Sequence, residues 1–143
     1  MARTLSMLTF KKRYVDLILS GRKRSTIRLG SLYVKGKYIK AVSSGRVVAV
    51  VQVERVVHKK VKDITDEDAR LDGFKGLPEL FRELRSIYGD FLLDDDVTII
   101  TFSLVKANDN GSHRGVHLPS EGEGSKSVYP RLRRGASRQY NRT

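Results

Sequence analysis

Cysteine is absent from the 143 residues, which excludes disulfides, thiolate zinc sites and cysteine nucleophiles together. Long apolar runs are missing as well; none approaches the roughly eighteen residues that a membrane span requires. The first twenty residues lack the uninterrupted apolar block and small-residue cleavage site of a secretory signal. These absences lead to the expectation of a soluble, cytoplasmic protein with no membrane partner. Amides are scarce too. All three asparagines (Asn108, Asn110, Asn141) lie beyond residue 105, and Gln52 is the one glutamine before it. Few heat-labile side chains beside many Lys, Arg, Asp and Glu point to a high-temperature source.

Positive charge, by contrast, is plentiful, and it is segregated. The formal net charge is +12. Residues 1–62 carry sixteen Lys/Arg against two acids, residues 63–105 four against eleven, and residues 106–143 eight against three. A surface shaped only for solubility mixes signs along its length. Separation of this kind predicts a positive face that meets a polyanion.

The length suits one domain with a single core. Residues 4–10, "TLSMLTF", alternate between apolar and hydroxyl side chains and predict an opening strand. Lys11 to Ser20 predicts a short helix, because Tyr14/Ile18 and Val15/Leu19 fall four apart and can turn one stripe to a core. Gly21 stands where a left-handed C-cap is expected. "SLYVKGKYIKAV" alternates in its second half and ends at the turn signal "SSG". The valine-dense "RVVAVVQVERVVHKKV" predicts one long bent strand, or two joined at a bulge near Arg55. A short helix over Asp63–Leu71 with Thr65 as N-cap, a second from Pro78 to Tyr88, and a final strand over Val97–Leu104 complete the domain. The order β–α–β–β–β–α–α–β lacks the alternation of a doubly wound sheet. The fold class expected is α+β: a mostly antiparallel sheet curved into a small barrel with flanking helices. Residues 1–105 form this domain. Residues 106–143 are small, polar and glycine-rich and read as a flexible basic tail.

The stretch "SGRKRSTIRLG" gathers the most chemistry. Arg22, Lys23, Arg24 and Arg28 are suited to phosphate oxygens, and Lys11, Lys12 and Arg13 lie at the other end of the same short helix. Arg131, Arg133 and Arg134, with Tyr129 and Tyr140 interleaved in the tail, have the composition of an arm that lies on RNA. Tyr14, Tyr33 and Tyr38 are suited to stacking on unpaired bases; the bland alternatives are a core role for those three, a solvated basic turn, a solubilising tail, and a lysine paired with an acid of residues 66–72. A strict strand would put residues 23 and 26 on opposite faces, so bringing Lys23 and Thr26 together needs a turn between Gly21 and Arg24.

Taken in order, "LTF", "YVDLILSGRKRSTIR", "DARLDGF", "PELFRELRSIYGD" and "VTIITF" resemble the ASCH (activating signal cointegrator homology) domain of the PUA-like superfamily. The most specific piece is Gly-x-Lys-x-x-Thr-x-Arg, met by Gly21, Lys23, Thr26 and Arg28; Ala69, Gly73 and Phe74 follow in the spacing Ala-x-x-x-Gly-Phe. The resemblance implies a small barrel with the motif lining a cleft, and a nucleic-acid partner, RNA such as tRNA or rRNA. Some members of the family are amide hydrolases of acetylated cytidine nucleosides. That alternative implies Lys23 as base, Thr26 as nucleophile and an acid at Asp72, where the family carries glutamate. Aspartate is one methylene shorter, a shortfall of roughly 1.5 Å. Other members are ribonucleases, but His58 is the one histidine inside the domain and sits beside Lys59 and Lys60. No cofactor and no metal is expected: His113 and His117 lie in the tail without carboxylate partners, and Asp94–Asp96 read as a solvated lead-in to the last strand.

Overall fold

The computed structural model describes residues 3–108. Strands β1 (Arg3–Leu5) and β2 (Met7–Thr9) form one extended run broken at Ser6. A 3-10 turn over Lys12–Tyr14 leads into α1 (Val15–Leu19). The expected helix therefore starts tight, because Lys11 supplies no side-chain cap to its first N–H groups. Its other end is a Schellman motif. Gly21, at φ +83°, donates to the Ile18 carbonyl at 3.1 Å, and the Arg22 N–H reaches the Leu17 carbonyl at 2.9 Å.

The chain continues through β3 (Ser25–Leu29), β4 (Leu32–Val34) and β5 (Tyr38–Ser43). A two-residue turn at Ser44 and Gly45, both with positive φ, joins β5 to β6 (Arg46–Lys60). The long valine-rich segment is a single strand, and its register shifts between Val53 and Arg55, where the bulge was expected. Helix α2 (Asp66–Leu71) opens with a capping box between Thr65 and Asp68. Helix α3 (Leu77–Tyr88) carries Pro78 in its first turn, and β7 (Asp96–Ala107) runs past the expected limit at residue 105. Two expected strands are each split in two, at Ser6 and between Val34 and Tyr38.

Five strands run in the order β2-β5-β6-β7-β3, and β1 pairs with β4 in a second ladder. The β3–β7, β5–β6 and β6–β7 pairs are antiparallel, whereas β1–β4 and β2–β5 are parallel. The ladders share chain, because β1 passes into β2 through Ser6 and β3 into β4 through Gly30 and Ser31. Those two bends join them into a small barrel. The α+β, mostly antiparallel barrel read from the sequence is the fold observed.

Two apolar clusters hold it. Inside the barrel, Leu8, Phe10, Ile39, Val51, Val53 and Ile100 are all buried. On the outer wall, Ile27 and Leu29 of β3 with Val97 and Ile99 of β7 pack under Leu80 and Leu84 of α3. Each large apolar side chain so buried is worth about 1.5–3 kcal/mol. The same alternation along β3 sends Ile27 and Leu29 to the helices and Thr26 and Arg28 to the barrel interior.

Candidate functional site

No backbone ladder joins β2 to β3, the two edges of the five-stranded sheet. The Gly21–Arg28 octet folds over this seam. Arg28 bridges it: its Nη2 donates to the Thr9 carbonyl at 2.8 Å and its Nε to Thr26 Oγ1 at 3.2 Å. The guanidinium lies 5.2 Å from the centre of the Phe10 ring. Arg28 is fully buried, and burial lowers its pKa to about 10, opposed by Tyr88 and Asp72.

Lys23 precedes β3, in the turn that follows the Schellman motif, so the turn needed between Gly21 and Arg24 is present. Its amine sits 5.0 Å from the Tyr14 ring centre and 5.6 Å from that of Phe10. It forms an ion pair with Asp72 Oδ1 and donates to the Asp72 carbonyl at 3.0 Å. The other carboxylate oxygen accepts the Ile27 amide N–H at 3.0 Å. Lys23 and Asp72 side chains are 3% and 4% exposed. Burial pushes the Lys23 amine below its usual range and the Asp72 carboxyl above its own, and each partner's charge opposes the shift.

The shortfall expected of aspartate at position 72 does not arise toward Lys23. The Arg24 N–H bonds the Leu71 carbonyl at 2.8 Å and draws the end of α2 against the motif. The backbone thereby supplies the reach that the side chain lacks. The pairing of Lys23 with an acid of residues 66–72 is also what the bland reading anticipates.

The remaining basic residues divide by exposure. Lys12, Arg13, Arg22 and Arg24 are exposed and Lys11 is half-buried at the rim, whereas Lys23 and Arg28 are turned inward. Glu83 of α3 holds Lys11 at 3.0 Å and Arg13 at 2.6 Å. Burial alone would raise the Glu83 carboxyl; the Tyr14 hydroxyl, Lys11 and Arg13 outweigh it and hold the group below its ordinary range. Tyr14 is raised by burial and by the same hydrogen bond. Sequence reasoning missed Glu83 and Phe10 as neighbours of the motif. A carboxylate next to the Leu80/Leu84 stripe was the available signal for the first.

The other candidates fall elsewhere. His58 lies 5.1 Å from Tyr33, ring centre to ring centre, with its Nε2 2.9 Å from the Leu32 carbonyl oxygen. Asp94 and Asp96 pair with Lys62 and Lys60, at the rim of a recess of about 290 Å³ also lined by Tyr88 and Asp90. Among the described residues no three His, Asp or Glu side chains group as a metal site. None of the described helices is long and apolar enough to cross a membrane. Arg131, Arg133, Arg134, His113 and His117 lie outside the described residues.

A small barrel with helices on its outer wall and a basic turn at its seam places the chain in the α+β class of small β-barrel domains. Within that class the chain belongs to the ASCH domain family, whose model matches residues 6–106. Solved structures share the fold. An ASCH domain from Lactobacillus crispatus JV V101 is 18% identical with a TM-score of 0.56, over 73% of this chain and 80% of that one. A protein from Enterococcus faecalis V583 is 17% identical with a TM-score of 0.53, over 77% and 87% respectively. No curated protein matches the chain.

Proposed function

We propose that the domain binds RNA through the basic shoulder formed by the segments before and after α1. One observation carries this reading: Lys12, Arg22 and Arg24 are exposed and have no acidic partner among the described residues. Lys11 and Arg13 flank them, restrained by Glu83. Lys23 and Arg28 act from beneath, fixing the turn that presents Arg22 and Arg24. Arg131, Arg133 and Arg134, outside the described residues, add to the positive charge of the chain.

Binding to tRNA measured across a salt series tests it. Contact with about six phosphates makes affinity fall by about three decades between 50 and 200 mM salt. Arg22→Glu with Arg24→Glu removes two of those contacts and lowers the salt slope by about 2. Salt-independent binding, or none, overturns the reading.

The amidohydrolase reading, with Lys23, Thr26 and Asp72 acting on a 4-acetylcytidine-type nucleoside, ranks second. Its support is the meeting of Lys23 with Asp72. Against it stands burial, since Thr26 is fully enclosed and its hydroxyl meets a substrate amide only if the seam opens. Acetate release from 4-acetylcytidine, lost in Thr26→Ala, would reverse the ranking.

A further inference from the structure

We infer that the uncovered outer face of β2, β5, β6 and β7 is a second nucleic-acid surface, shaped for single-stranded RNA. The partner class rests on the reading above, but the surface is a different one. Alternation on β5 buries Ile39 and Ala41 inside the barrel and turns Tyr38 and Lys40 outward. The register then sets Met7, Lys40, Val50 and Lys106 on one rung across four strands, and Tyr38, Gln52 and Ser103 on the next. Helices α2 and α3 pack on the β3 side of β7, so among the described residues they leave this face open. Met7 is 44% exposed and Lys40 is exposed.

Charge selects the occupant. Residues 17–53 contain eight Lys/Arg and neither Asp nor Glu, and β7 after Asp96 has no acid. Among the described residues Glu54, on the bulge at the margin, is the carboxylate nearby, and the Ser103 hydroxyl donates to it at 2.7 Å. Lys40 and Lys106 stand two strand spacings apart, about 10 Å, and Tyr38 lies about 7 Å along the strand from Lys40. Tyr38, Lys40 and Lys106 make no side-chain hydrogen bond or ion pair with another described residue. Lys40 and Lys106 on one rung, with the half-buried Tyr38 ring beside Lys40 on the next, suit two phosphates with an unpaired base stacked alongside them. A duplex keeps its base faces stacked and gains only the charge. A second copy of this face would set lysine against lysine.

The test uses the full chain, a fluorescein-labelled single-stranded oligouridylate and an RNA hairpin of equal length, read by anisotropy. The single strand binds more tightly than the hairpin. Tyr38→Ala weakens the single strand about tenfold or more and leaves the hairpin unchanged, whereas Tyr38→Phe binds as wild type. Lys40→Gln with Lys106→Gln lowers the salt slope by about 1.4. Wild-type affinity in all these variants, with binding lost in Arg22→Glu/Arg24→Glu, overturns this inference and leaves the shoulder reading intact. No RNA binding by the wild type overturns both. Sedimentation as a dimer that Tyr38→Ala dissociates makes a second copy the occupant and overturns it as well.

Discussion

Asp72 grips the motif at two points: one carboxylate oxygen takes the Lys23 amine, and the other accepts the Ile27 amide N–H at 3.0 Å. A side chain at the end of α2 thus fixes both the turn before β3 and the edge of β3 itself.

Removing one member of the pair strands the other in the interior. Asp72→Ala is expected to lose about 3–5 kcal/mol of unfolding free energy, because Lys23 stays buried without a counter-charge. The double variant Lys23→Met, Asp72→Leu is expected to recover most of it. Urea denaturation of the three proteins checks this, and equal losses in the single and double variants would contradict it.

Arg28→Lys is expected to behave as a non-conservative change. Lysine cannot span from Thr26 to the Thr9 carbonyl with a planar fork, and at least one of those bonds is lost. The expected cost is about 2 kcal/mol. A wild-type denaturation midpoint would show that the seam needs no such bridge.

Glu83 supplies a pH dependence whose sign is fixed. Its folded-state carboxyl titrates below its ordinary value of 4.5. The stabilisation is therefore complete above that value and fades as pH falls through the lower folded-state one. Wild type is expected to be more stable than Glu83→Gln at pH 7, with the two converging as pH drops below 4.5. Thermal melts from pH 7 down to pH 2.5 measure the gap; a gap that persists at low pH would remove Glu83 as its source.

Gly21→Ala isolates backbone strain. A Cβ there meets nothing within 4 Å, so the penalty comes from φ +83° alone. About 1 kcal/mol is expected, lowering Tm by about 4–8 °C. An unchanged melt would mean that the Schellman turn relaxes without cost.

Much of this molecule was legible in the sequence because its local signals agree with its global fold. Alternation found β5, valine density found β6, Thr65 and Gly21 marked helix ends, and a bulge near Arg55 followed from strand length. What stayed hidden was long-range. Nothing local to Ser6 or Gly30 announces that bends there join two ladders, since closure is set by partners dozens of residues away. The site was legible by composition and not by exposure. Seven basic residues near α1 look alike in sequence, yet an inward neighbour such as Phe10 or Asp72 takes Lys23 and Arg28 inside. Glu83, on a distant helix, restrains two others.

β7 sits between β6 and β3, although it is the last strand of the domain to be made. On the ribosome, β2, β5 and β6 emerge before it, but β3 has no strand to zip against until β7 follows. Closure of the sheet is thereby tied to the emergence of β7, which favours slow, all-at-once folding over stepwise maturation. Truncation inside β7 should leave an open, aggregation-prone chain, not a smaller barrel.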